Sequence, residues 1–143
     1  MEFQKISFDK SCPEISWQYL ALFNNKTIEV LRIKFSGRYV SSTDQSYARL
    51  IGIAIRSGIE FWNPITVLID YSDLEFNGGD EFERTYDSVE SDYTRTAVLV
   101  GPLCRKAMNK LAWEEEDKDI VDNSFFFDDA DKAIAKLTQG VLK

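Results

Sequence analysis

The chain has 143 residues, of which 44% are hydrophobic and 13% aromatic, and its formal net charge is −7. This is enough for one domain that buries roughly 70% of its unfolded surface, so wholesale disorder is excluded, and no run of about 18 apolar residues exists to span a membrane. There is no histidine, which removes the commonest general base and metal ligand, and the acidic balance disfavours nucleic acid and anionic membrane as partners.

Residues 1–16 form a mixed lead-in broken by Pro13. They contain no apolar stretch of the kind a secretory signal needs, so a cytoplasmic protein is expected. Cys12 and Cys104 are then expected as reduced thiols rather than a disulfide. Residues 17–23 are aromatic-rich and strand-like, and Asn24-Asn25-Lys26 supplies turn residues that tolerate left-handed φ. Residues 27–37 alternate, with a phase slip at Leu31-Arg32 that marks either a bulge or burial on both faces. Together the two segments predict a β-hairpin. Ser41, Ser42, Thr43 and Asp44 are N-cap candidates for a helix carrying Tyr47, Leu50, Ile51, Ala54 and Ile55 on one stripe, with Gly58 expected to close it.

Residues 65–71 organise the chain: five apolar or β-branched residues run unbroken into Asp70 and Tyr71. A strand covered on one face alternates and one covered on both need not, so this is expected to be central. A loop from Ser72 then leads to a second helix capped by Asp80, with Phe82, Tyr86 and Val89 inward and residues 88–94 as a polar linker. Residues 96–100 are a further buried strand, closed by Gly101-Pro102, and a helix over 103–113 packs Leu103, Ala107, Met108 and Leu111. An acidic connector follows, then a short strand over 124–127. The last helix is capped by Asp128, Asp129 and Asp131, carries Ala130, Ala133, Ile134 and Leu137 on one stripe, and ends at Gly140. The order ββαβαβαβα predicts an α/β fold with a mixed, mostly parallel sheet flanked by helices.

That order resembles the STAS domain of anti-sigma-factor antagonists over about residues 17–137. Residues 30–37 are similar to the family's second strand, which ends in a glycine, and residues 67–76 to its third strand and the approach to its switch loop. Residues 127–134 are similar to its last strand and closing helix. The resemblance implies a serine that is phosphorylated within an Asp-Ser-(Ser/Thr)-Gly motif. Aligned through Leu74 and Phe76, Gly78-Gly79-Asp80-Glu81 occupies those positions and carries no hydroxyl. Ser72 precedes the loop and Ser88 follows it. The resemblance therefore implies the scaffold without its phospho-switch, and scaffold likeness alone does not transfer function.

The charge is unevenly spread. Residues 70–92 hold nine acids and one base, as do residues 114–131, so each window nets −8 and the rest of the chain nets +9. Loops at the carboxyl ends of strands are where open α/β sheets bind. Asp70, Asp73, Asp80 and Glu81 near one strand end can hold a divalent cation, but helix capping and solvation explain them better, and the lack of an acidic pair after the first strand excludes a phosphoryl-accepting receiver. A tight turn explains Gly78-Gly79 better than an anion cradle amid carboxylates. Cys104, near Arg105 and Lys106, is expected to be a buried structural thiol rather than a reactive thiolate. Trp17 is expected in the core. Trp113, beside Glu114-Glu115-Glu116, is the best surface anchor for a lysine- or arginine-rich partner.

These features predict a non-enzymatic module with no catalytic residue, metal or cofactor, which binds a basic protein through Asp73, Glu75, Asp80, Glu81, Glu83, Trp113, Glu114, Glu115, Glu116 and Asp117. An immunity protein neutralising a basic, nuclease-type toxin is the expected identity, since opposite charge steers association. The alternatives are a STAS-type regulator lacking the phospho-switch, and a small carboxylate- or metal-dependent enzyme using residues 70–81.

Overall fold

A computed structural model of the chain describes residues 1–41, 45–83, 85, 95–112, 121 and 125–139, with the backbone alone at 80, 83, 111 and 112. Its centre is strand β3, Thr66–Glu75, in a five-stranded sheet of order β1-β2-β3-β4-β5. Every residue from 66 to 71 is buried. Val67, Ile69 and Tyr71 point into the larger of two apolar clusters, and Leu68 into the smaller. Both faces are covered, so the apolar run has no reason to alternate.

Strand β1, Ile15–Asn24, pairs antiparallel with β2, Thr27–Arg38, through a turn in which Asn25 takes φ 58°. Strands β2, β3, β4 (Arg95–Val100) and β5 (Phe126–Phe127) are mutually parallel. The helices are α1 (Phe8–Ser11), α2 (Ser46–Trp62), α3 (Arg105–Ala112) and α4 (Ala130–Thr138), with a 3-10 turn over Asp80–Glu83. The result is the mixed, mostly parallel α/β sheet of a STAS-like fold.

The larger cluster packs Tyr47, Leu50, Ile51, Ala54 and Ile55 of α2 on Leu31, Ile33 and Phe35 of β2. The smaller packs Ala133 and Leu137 of α4 on Val30, Leu68, Ala97 and Leu99. Val30 and Leu31 are both about 1% exposed, because helices lie on the two sides of β2. The phase slip there thus records two-sided burial. A bulge sits close by, where β2 gains Glu29 opposite the Leu22–Phe23 step. Asp129 caps α4 by accepting from the Asp131 and Lys132 amides, and Arg95 at the start of β4 donates to the Lys136 and Gln139 carbonyls at its far end.

Several expected boundaries move. Helix α2 does not stop at Gly58 but runs to Trp62, where Asn63 takes the left-handed conformation. Gly58 is needed for packing: a Cβ there would come within 2.6 Å of the Tyr19 ring, whose hydroxyl donates to the Ala54 carbonyl. Strand β3 extends to Glu75 because Ser36, Gly37 and Arg38 continue to pair with Asp73, Leu74 and Glu75 after a register shift. Ile65 lies outside the strand, 41% exposed. Leu103 is exposed in the turn before α3, and Met108 supplies that helix's buried contact. The short α1 was not anticipated. Asp80 begins a 3-10 turn rather than a described α-helix. The cap candidates Ser42, Thr43 and Asp44, the inward positions Tyr86 and Val89, the whole 88–94 linker, Ser124 and Gly140 lie outside the described residues.

Candidate functional site

The carboxyl end of β3 gathers the acids singled out from sequence, but it gives them different work. Asp70 is fully buried. Its Oδ2 accepts from Arg32 Nε at 2.8 Å and Nη2 at 2.6 Å, and its Oδ1 accepts from the Ser72 amide at 2.9 Å and the Ser72 hydroxyl at 2.6 Å. Four donors leave it no capacity to hold a cation. A buried carboxylate without them would carry a heavy desolvation cost. Asp73 is exposed and pairs with Lys34 at 3.0 Å. Glu75 is half-buried and accepts from Asn77 at 3.3 Å. Among the described residues, no group of three or more acidic or cysteine side chains is arranged to hold a metal ion.

Beyond β3 the chain passes through Gly78 and Gly79, which take φ 152° and 131°. A Cβ at Gly79 would stand 3.0 Å from Ser41 Oγ and 3.1 Å from Glu81 Oε1. The glycine pair is not the tight turn expected: both residues take positive φ in irregular backbone that leads into the 3-10 turn at Asp80. Glu81 is half-buried, and its Oε1 accepts from the Tyr39 hydroxyl at 2.9 Å and the Ser41 hydroxyl at 2.8 Å. The Tyr39 amide bonds to the Glu75 carbonyl, which fixes that ring beside the loop. Burial, and then the Glu81 carboxylate it donates to, hold the Tyr39 phenol well above its ordinary pKa, so it stays a donor.

Phe82 anchors the turn from below. It is fully buried, stacked on Phe76 with centroids 4.1 Å apart, and edge-on to Tyr39 at 4.9 Å. The buried Thr85 hydroxyl lies 2.7 Å from the Phe82 carbonyl and 2.6 Å from the Tyr71 hydroxyl. Loops exposed to solvent seldom have so many buried attachments; this one presents Glu81 on a rigid base. Beside it lies an open depression of about 380 Å³ lined by Glu75, Asn77, Leu103, Lys106 and Lys110. The surface around the loop is therefore mixed in sign.

Of the residues singled out from sequence, Asp73, Glu75 and Glu81 lie at this strand end, with Asp80 and Glu83 in the backbone of the adjoining turn. Trp113, Glu114, Glu115, Glu116 and Asp117 lie outside the described residues. Sequence reasoning missed Tyr39 altogether and took Ser41 only as a possible helix cap. Arg32 and Lys34 lie among the apolar residues of the alternating segment 27–37; only the β2–β3 register brings them beside Asp70 and Asp73. Cys104 is the buried structural thiol expected, 1% exposed, with burial pushing its pKa up to about 11. Cys12 is also a buried free thiol.

This fold has a solved counterpart. The chain is similar to the crystal structure of an anti-sigma factor antagonist from Mycobacterium paratuberculosis, with a TM-score of 0.54 and 20% sequence identity over 87% of this chain and 96% of that one. No family model matches the sequence, and no curated protein does. The likeness is one of fold.

It overturns the expectation of an immunity protein for a nuclease-type toxin. The scaffold matched is that of an anti-sigma factor antagonist, not of a toxin-neutralising protein. The charge argument behind that expectation also weakens. Asp70, Asp73 and Asp128 of the two acidic windows are paired with Arg32, Lys34 and Arg105, the last at 2.8 Å. Cations from the remainder of the chain fold back onto these acids, so the sequence overstates the field they project. Among the described residues, no helix is long and apolar enough to cross a membrane.

Proposed function

We propose that this chain is a STAS-type regulatory protein that binds a partner protein at the loop after β3, and that a fixed carboxylate replaces the phosphorylatable serine of that loop. The observation that carries this reading is Glu81, held by the Tyr39 and Ser41 hydroxyls on a base built by Phe76 and Phe82. A serine switch works because phosphate adds charge that neighbouring groups must then accommodate. Here a carboxylate stands in the loop permanently, and the Tyr39 and Ser41 hydroxyls help to set its position.

The partner surface on this reading comprises Asp73, Glu75, Asp80, Glu81 and Glu83. Trp113, Glu114, Glu115, Glu116 and Asp117 extend it. The partner is a protein with a complementary basic patch, of the anti-sigma-factor class that the solved counterpart antagonises. The protein acts by binding, in the cytoplasm, without catalysis, cofactor, nucleic acid or membrane. Asp70, the best-placed candidate for an enzymatic role, is occupied by Arg32 and Ser72.

Calorimetric titration against an anti-sigma factor from the same genome tests this directly. Glu81→Gln is expected to weaken binding by about threefold to tenfold at low salt, with the difference shrinking as salt rises. Incubation with the partner and ATP is expected to leave residues 72–88 free of phosphate. Binding unchanged by Glu75→Lys combined with Glu81→Gln, or phosphate on Ser72 or Ser88, would overturn the proposal.

A further inference from the structure

The two edges of the sheet are built differently. Strand β5 is two residues long and runs straight into Asp128 and Asp129. Strand β1 has ten residues, Ile-Ser-Trp-Gln-Tyr-Leu-Ala-Leu-Phe-Asn, with no charge and no proline. Among the described residues it pairs only with β2, which leaves its outer row of amides and carbonyls open. Leu20, Leu22 and Phe23 are 43%, 48% and 64% exposed along it. Natural monomers protect long edges with charges, prolines or covering segments; this edge carries no charge and no proline, and among the described residues no strand pairs with its outer side.

We propose that β1 is a dimerisation edge, pairing antiparallel with β1 of a second copy to make one continuous ten-stranded sheet. Three observations favour a second copy over another occupant. First, a strand that pairs with itself about a two-fold axis sets residues near the axis opposite their own kind, so any charge there would face itself; β1 has none. Second, two chains of net charge −7 repel, and they approach most easily where no acid projects. The charged residues opposite Leu20 and Gln18 on β2 are Arg32 and Lys34, already balanced by Asp70 and Asp73. Third, the exposed apolar side chains lie on both faces of the edge, with Leu20 and Leu22 on one face and Phe23 on the other, as a continued sheet requires.

The register follows from geometry. The two-fold axis must be perpendicular to the sheet, so each residue meets one that points to the same face. Ile15 is buried against the α1 end of the strand and is closed to pairing. The axis then passes through Leu20, so that Gln18 meets Leu22 of the second copy and Trp17 meets Phe23. The two candidate sites at the β3 ends point in opposite directions and both stay open.

Sedimentation equilibrium tests this without any ligand. The chain is expected to reach twice its 16.5 kDa monomer mass as concentration rises. Leu20→Lys, at an exposed position, should keep the circular dichroism and melting curve of the parent while weakening self-association by about tenfold or more. Mixing Leu20→Lys with Leu20→Glu should restore dimers, which neither forms alone. A chain that stays monomeric at every concentration, or a dimer indifferent to Leu20→Lys, would overturn the proposal. So would β1 amides that gain hydrogen-exchange protection only when an extended peptide from a different protein is added.

Discussion

Asp70 and Glu81 are eleven residues apart and lie at the same end of the sheet, yet they illustrate opposite uses of a carboxylate. Asp70 is fully buried, and its charge is cancelled by Arg32 and shared with two Ser72 donors. Glu81 is half-buried, and its Oε1 accepts from two neutral hydroxyls, those of Tyr39 and Ser41. The first arrangement is a structural joint between β2 and β3. The second ties a loop carboxylate to the residues that follow β2. An acid's partners, more than its place in an acidic stretch, decide which of the two it becomes.

Mutations can break this contrast in order of size. Arg32→Met should be the most damaging, costing about 3–5 kcal/mol because it strands a buried carboxylate. Adding Asp70→Asn to it should recover part of that loss, and chemical denaturation of the two variants would show whether it does. A double variant no more stable than the single one would mean that Arg32 acts through packing and not through Asp70.

The next effect is on pH. Burial raises the Cys104 thiol from an ordinary 9.0 to about 11, so the unfolded chain loses that proton before the folded one does. The stability that depends on it is complete below about pH 9 and falls as pH climbs towards 11, by up to about 1.4 kcal/mol per pH unit. Tyr39, raised for the same first reason, adds to the loss above pH 10. Cys104→Ala should flatten the slope between pH 9 and 10 in a series of urea melts. The native chain should also react slowly with a thiol reagent until it is unfolded.

Tyr39→Phe keeps the ring packed against Phe76 and Phe82 and removes a single donor to Glu81. It should cost about 1 kcal/mol in stability and, if the loop is the partner surface, weaken binding beyond that of a neutral surface change. Lys34→Ala breaks an ion pair whose acid is 57% exposed, and should move stability by no more than about 0.5 kcal/mol. A larger effect would show that the Lys34–Asp73 pair belongs with Asp70 rather than with the surface.

Much of the fold was legible from residue pattern. The unbroken apolar run before Asp70, the second run over 96–100 and the acids ahead of Ala130 each predicted an element that exists. Each is a local signal: two-sided burial suppresses alternation, and helix starts attract carboxylates. The misplacements share a cause too. Gly58 looks like a helix end by propensity, but it is an approach point for the Tyr19 ring. Ser72 looks like the start of a loop, but the neighbouring strand keeps pairing past it. In both cases a contact from a distant part of the chain outweighed a local preference.

The candidate site was legible as a location and not as a mechanism. That acids gather where β3 ends could be read from their positions, because strand ends and helix starts are recognisable. That Arg32 would neutralise Asp70, or that Tyr39 and Ser41 would hold Glu81, could not, since those partners are 38 to 42 residues away in the chain.

By itself the sequence determined a mostly parallel sheet, the succession of strands and helices along the chain and a central strand covered on both faces, because burial periodicity is written into neighbouring residues. Only the tertiary structure decided which acids pair with a cation and which are held by hydroxyls. Electrostatic pairing depends on distances of about 3 Å between side chains, and strand register and loop packing set those distances.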